Sequence, residues 1–244
     1  NGLAALNLAL PVYSVINGSG LMLGIGGATK YAIMKNQGNK KYNESFMNTV
    51  FMAIVIGIIF FLTGIIFSGN IATLLGANKQ VYHMTSIYLK VLLMFGPAFV
   101  LNNVMNAFVR NDGNPRLSMI AMLVGSFGNI ILDYLLVIKF SMGMFGAVLA
   151  TGFSPIMGLM VLSGHIVSEN SNIKFKVAKI RASFIKSIIM LGIPSFVAEM
   201  SSGIVIFVFN IIILGLQGNV GVAAYGVIAN LALVVISIYT GVAQ

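Results

Sequence analysis

Cysteine is absent from the 244 residues, which excludes disulfides, thiolate metal sites and a cysteine nucleophile. Tryptophan is absent as well, and Asp, Glu, Lys and Arg together make up only 8% of the chain. A soluble domain carries about 25% charged residues, so a soluble globular fold is excluded too. The net charge of +9 raises the thought of nucleic acid. No basic patch interleaved with aromatics lies on a soluble element, however, and the charge has a simpler origin in membrane topology. No basic n-region precedes the opening NGLAALNLALP, so no cleavable signal peptide is expected. The chain does not begin with Met, and it reads as a segment of something longer.

What is abundant is apolar surface. The chain is 58% hydrophobic with a mean hydropathy of +0.98, the composition of a polytopic membrane protein. A helix needs about 20 apolar residues to cross the hydrocarbon core. By that measure crossings are expected at 3–29, 46–68, 84–109, 117–138, 146–168, 185–214 and 221–244. Lys30, Lys35, Lys40 and Lys41 fall in the first loop, Arg110 and Arg116 in the third, and Lys174, Lys176, Lys179, Arg181 and Lys186 in or beside the fifth. The alternate loops hold only Lys79 and Lys139, with Lys90 near a helix end. The positive-inside rule therefore makes loops one, three and five cytoplasmic.

Loop five sets Ile173, Phe175, Val177 and Ile180 among cations, a pattern that predicts a short amphipathic helix on the inner leaflet. Loop three, RNDGNPR, has the turn chemistry of a tight reversal and nothing more. Pro11, Pro97, Pro155 and Pro194 interrupt crossings, and neighbours or cavity water must satisfy the carbonyls they free. Gly18, Gly20, Gly24, Gly26, Gly27 and Ala28 suit close helix packing. Residues 2–16 weakly echo 221–235, and both segments run in the same direction across the membrane.

The functional stretch is Gly125 to Thr151. Asp133 sits inside an apolar helix with Asn129 one turn earlier on the same face. Thr151 lies as far beyond the turn near Met142–Gly143 as Asp133 lies before it, which puts the two at one depth on antiparallel helices. A charged Asp at the centre of a bilayer helix costs about 2.5–3.5 kcal/mol on insertion scales. Two readings stand at this point: a site for a small cation, or a polar lock between two helices. Glu199 is the second intramembrane acid, and Asn210, eleven residues on, shares its face. Glu199 reads either as a partnered structural residue or as a coupling or gating carboxylate. Asn102, Asn103 and Asn106 are expected to bridge helices, and His83 and His165 look like surface residues near helix ends. Fifteen Met and seventeen Phe add faint support for an adaptable apolar cavity.

RNDGNPR, then GNIILD, then GMFGAVLAT, together with LGIPSF through VAAYGVIA and the opening NGLAALNLALP, resemble the multidrug and toxic compound extrusion (MATE) transporters of prokaryotic type. The resemblance runs along essentially the whole chain. It implies an all-α, polytopic membrane bundle of twelve helices in two six-helix lobes, of which this chain supplies seven, helices two to eight. Residues 1–183 would be the N-terminal lobe lacking its first helix, and 184–244 the first two helices of the C-terminal lobe. The weak repeat then pairs equivalent helices of the two lobes. The resemblance also implies a cation site at Asn129, Asp133, Ala147 and Thr151, with Asp133, Asn129 and Thr151 as ligands if the ion is Na+. A further Asp of the family's first helix is not in this chain.

The implied function is a Na+- or H+-coupled antiporter, not an enzyme, exporting amphipathic and cationic drugs across the cytoplasmic membrane, with no cofactor beyond the coupling ion. Its partners are drug molecules, lipids and the remaining helices of the longer protein. Two alternatives are kept. A lipid-linked oligosaccharide flippase of related fold would line its cavity with Arg or Lys, which the helix interiors here lack. A seven-helix receptor fits the crossing count, but no cysteine pair, charged triplet or Asn-Pro signature accompanies it.

Overall fold

The structure is a computed structural model describing residues 2–39, 41–168, 171–175 and 179–243, with the side chains at 219, 233 and 236–243 left aside. The described residues form helices: α1 (Gly2–Asn36), α2 (Tyr42–Leu74), α3 (Tyr82–Met94), α4 (Gly96–Asn111), α5 (Pro115–Asp133), α6 (Gly143–Val167) and α7 (Ala182–Ala243). A π-helical turn, Tyr134–Lys139, extends α5. Five of these helical spans are long and apolar enough to cross a membrane alone, and α3 with α4 makes a sixth. The last helix is broken at Gly218, whose φ of 63° lies in the left-handed region that a side chain disfavours. Beyond the break Val220–Ala232 is the seventh apolar segment.

The third expected crossing is not one straight helix. It bends by 47° between α3 and α4, where Gly96 is followed by Pro97. Proline has no N–H for the preceding turn, and its ring collides with the carbonyl four residues back, so a break there is the physical default. The turn between α4 and α5 follows its sequence closely. The Asn114 side chain caps α5 by accepting from the Leu117 N–H at 3.1 Å, and Pro115 fills the first helical position, where no N–H is needed.

The core lies where α1 is surrounded by α2, α4 and α7. Leu23, Tyr31, Phe46, Leu92, Val104, Phe108 and Leu162 are among its fully buried side chains. The glycines of α1 admit neighbouring helices: a Cβ on Gly24 would lie 2.7 Å from the Asn103 carbonyl oxygen, and one on Gly27 would collide with the Thr49 hydroxyl. Outward faces are apolar. Ile58, Ile59, Leu62 and Ile66 on α2, and Met119, Met122, Phe127, Ile130 and Ile131 on α5, are exposed, a surface suited to lipid and not to water.

Alternate loops share an end of the bundle. Tyr31 and Lys35 near the end of α1, Asp112 between α4 and α5, and His165 and Asn172 around the end of α6 bond to one another. At the opposite end Ala4, Ala5 and Leu8 pack with Val81 and Val222. Loops one, three and five therefore lie together, as the Lys and Arg pattern requires.

The segment after α6 departs from expectation. Residues 171–175 and 179–181 are not helical, and Val177 and Lys176 lie outside the described residues. Ile173 is 1% exposed, packed into the core, and Phe175 meets Phe46 edge-on at 5.1 Å. Of the apolar residues that suggested a lipid-facing helix, Ile173 is inserted into the bundle while Phe175 and Ile180 stay more than half exposed, because a backbone that is not helical does not gather them on one face.

Candidate functional site

Asp133 is the last residue of α5, immediately before the π turn. Such bulges frequently mark functional positions in helices. Its carboxylate is half-buried and, among the described residues, makes no hydrogen bond or ion pair. Across the interface with α6, the Thr151 hydroxyl donates to the Ala147 carbonyl oxygen at 3.0 Å, and Tyr88 of α3 lies beside it. Asp133 is close enough to Tyr88 to act on it electrostatically. The Asn129 side-chain nitrogen is buried with no partner among the described residues.

Thr151 and Ala147 are thus joined directly, and Asp133 approaches them through Tyr88. Asn129 shares the helix of Asp133 without bonding to it. Tyr88 was not singled out by sequence reasoning; its only signal is a hydroxyl on an otherwise apolar stretch. Between them Asp133, Asn129, Thr151 and Tyr88 carry a carboxylate, a side-chain amide oxygen and two hydroxyls. An all-oxygen donor set of this kind suits a hard monovalent cation or a proton.

Glu199 and Asn210 both face α1, as their spacing requires. Glu199 Oε1 accepts from Asn17 Nδ2 at 3.1 Å, and Asn17 Oδ1 accepts from Asn103 Nδ2 at 2.9 Å. This line of polar groups joins α7 to α1 and α4. Asn210 is buried and pairs with Asn7: Asn7 Nδ2 donates to Asn210 Oδ1 at 3.0 Å, and Asn210 Nδ2 to the Asn7 carbonyl at 3.1 Å. Asn106 accepts from Ser118 of α5, so Asn103 and Asn106 are bridges. Asn102 differs: its Oδ1 is buried and unpartnered among the described residues. It lines a cavity of about 330 Å³ together with Tyr13, Asn17, Phe99, Ser126 and Ser154.

Two sequence readings are corrected. His165 is not a surface residue: it is 5% exposed, its Nε2 lies 3.0 Å from Asp112 Oδ2, and Asn114 approaches its Nδ1 at 3.4 Å. The turn carrying Asp112 is more than a reversal. Asp112 also accepts from Tyr31 Oη and Lys35 Nζ, each at 2.8 Å, and from the backbone and side-chain amide of Asn172 at 2.9 and 3.1 Å. Burial alone would raise this carboxyl; Lys35, Tyr31, His165 and the Asn172 N–H outweigh burial and hold it at about 2. The acid in RNDGNPR was the available signal, and only its partners could reveal its role.

With this geometry in hand, the family is decided by comparison. The MatE family model matches residues 1–135, more than half of the chain. The chain belongs to the MatE family of transporters. It is 31% identical over 230 residues to the multidrug export protein MepA of Staphylococcus aureus, covering 92% of this chain and 50% of that protein. It is 30% identical, with the same coverage, to MepA of Staphylococcus saprophyticus. Among solved structures, a multidrug resistance MATE family transporter of the MOP superfamily in an inward-facing conformation superposes with a TM-score of 0.87 at 25% identity, over 92% of this chain and 52% of that one. The MATE multidrug transporter DinF-BH shares the fold, with a TM-score of 0.84 at 24% identity, over 93% of this chain and 52% of that one. The chain spans about half the length of the curated relatives it matches. These MatE relatives are transporters and not enzymes, and membership of the family sets aside the receptor reading.

Proposed function

We propose that the chain is part of a cation-coupled multidrug antiporter of the cytoplasmic membrane, with residues 1–183 in one lobe and 184–244 opening a second. The single observation that carries the coupling role is the Asp133 carboxylate, set in a membrane helix with no protein group bonded to it among the described residues. A structural lock would be satisfied by its partners, since an unpaired buried charge is costly. An acid that must accept and release a cation is left open. Na+ or H+ binds at Asp133 with help from the Asn129 and Thr151 oxygens, while Ala147, through its carbonyl, fixes the Thr151 hydroxyl. Glu199 and Asn210 act as coupling or gating groups, because each is bonded from α7 to α1 across the two lobes.

Export requires that cation binding favour one arrangement of the lobes over another, since a ligand shifts an equilibrium only by its differential affinity. The α3–α4 bend and the π turn after Asp133 are the backbone breaks nearest the site. The exported compounds are amphipathic drugs. The MepA relatives are named for multidrug export, and the cavity beside Asn102 combines aromatic faces with amides and hydroxyls. That lining contains no Arg or Lys, which disfavours a flippase that handles a pyrophosphate.

The test is drug efflux from proteoliposomes under an imposed sodium or proton gradient, using the complete transporter containing this chain. Asp133→Asn is expected to leave expression near normal and abolish gradient-driven export. Thr151→Val should weaken the cation dependence without silencing transport. Export at the wild-type rate by Asp133→Asn, with unchanged cation dependence, would overturn the mechanism.

A further inference from the structure

The segment joining α6 to α7 has the sequence of a linker and the bonding of a core element. Loops are ordinarily solvated, their backbone groups satisfied by water. Here the Asn172 N–H donates to Asp112 Oδ2 at 2.9 Å and its side-chain amide to Asp112 Oδ1 at 3.1 Å. Asn43 at the start of α2 takes two further backbone groups: its Nδ2 donates to the Asn172 carbonyl at 3.1 Å, and its Oδ1 accepts from the Lys174 N–H at 3.2 Å. Further on, Asn48 Oδ1 accepts from the Arg181 N–H at 3.0 Å and its Nδ2 donates to the Lys179 carbonyl at 3.3 Å. Ile173, between the first two clamps, is buried in the core.

Every one of these clamps comes from α2 or from the turn between α4 and α5, and none from α7. Asp112 is the centre of the first. Its side chain is fully buried, and Tyr31, Lys35 and His165 hold it from α1 and α6. Its position is therefore set by three side chains from two helices before Asn172 adds its two bonds. A carboxylate fixed in this way presents both oxygens to the connector at no further ordering cost, and charge-assisted bonds are the strong ones.

We infer that Asp112 is a positioning residue for transport: it clamps the interlobe connector to the first lobe, so that the pivot between lobes lies beyond Arg181, at the start of α7. This rests on the reading of the chain as part of a two-lobed exporter. A connector that travels with the first lobe transmits displacement to α7 directly. A slack one would absorb it, and cation binding would then be coupled less tightly to lobe movement. Loss of the clamp should lower turnover while leaving the affinity for drug unchanged, because no clamp residue lines the cavity beside Asn102.

The test uses the complete transporter in two measurements, amide hydrogen exchange of the peptide spanning 171–175 and efflux kinetics with a fluorescent cationic dye. Two variants are compared with wild type: Asp112→Asn, and Asn43→Ala, whose side chain bonds only the connector and whose loss leaves the Asp112 cluster intact. Connector exchange is expected to rise about five- to tenfold in each, the scale of one or two lost hydrogen bonds, with kcat for efflux reduced several-fold and KM unchanged. Should Asp112→Asn fail to fold, Asn43→Ala decides alone. Unaltered connector exchange, or faster exchange with wild-type kcat, would overturn the inference. Failure of the wild-type protein to export the dye at all would instead overturn the exporter reading, while the exchange result still reports on the clamp.

Discussion

Gly26 of α1 and Gly192 of α7 meet at a crossing where neither helix has room for a side chain. A Cβ on Gly26 would overlap the Ile188 carbonyl oxygen and lie 3.0 Å from the Gly192 nitrogen, and one on Gly192 would overlap the Met22 carbonyl oxygen. Both obstacles are backbone, which cannot rotate away as a side-chain tip can. The two helices belong to different proposed lobes, so this contact brings them together near the end where α7 begins.

Gly26→Ala and Gly192→Ala are each expected to lower stability by about 1–3 kcal/mol, the usual cost of overpacking. Gly164→Ala serves as the control, since nothing lies within 4 Å of its would-be Cβ, and it should be neutral or gain up to about 1 kcal/mol from helix propensity. Thermal unfolding in detergent measures all three. Wild-type unfolding temperatures for both crossing variants would show that the helices separate at no cost.

Asp112 predicts an acid limit. Its folded carboxyl titrates at about 2, against an ordinary value of 3.8. A lowered folded value means that the contribution to stability is present above pH of about 4 and is lost as pH falls toward 2, a total of about 2 kcal/mol. Acid titration of unfolding should therefore show a steeper loss for wild type than for Asp112→Asn between these limits. Parallel curves would mean that other carboxylates govern acid sensitivity.

The shared end of loops one, three and five predicts one-sided labelling. Cysteines introduced singly at Gln37 and Lys174, both exposed, should be blocked only by reagents that enter the cytoplasm. A cysteine at Gln217, exposed beside the break at Gly218, should react from outside. Reaction of Lys174→Cys and Gln217→Cys from the same side would contradict the crossing map.

The sequence by itself determined the elements that depend on local composition. Apolar runs located the membrane helices, Lys and Arg placed their connecting ends, and Asn114-Pro115 determined where α5 starts. The Pro97 position signalled a helix break, although its 47° angle depended on packing. Asp133, Asn129, Thr151 and Glu199 were legible as candidates because a polar group is conspicuous in an apolar helix. Tertiary structure alone decided their partners. Tyr88 reaches Thr151 from a helix two crossings earlier. Asp112 draws Lys35 from 77 residues away, Tyr31 from 81, Asn172 from 60 and His165 from 53. Loop five showed the same limit in reverse: its alternating apolar residues suit a surface helix or a strap inserted into the bundle, and the pocket that received Ile173 chose between them. Hydropathy and helix periodicity are properties of neighbouring residues. The fate of a buried polar group depends on which distant segment can reach it, and that is known only once the helices have packed.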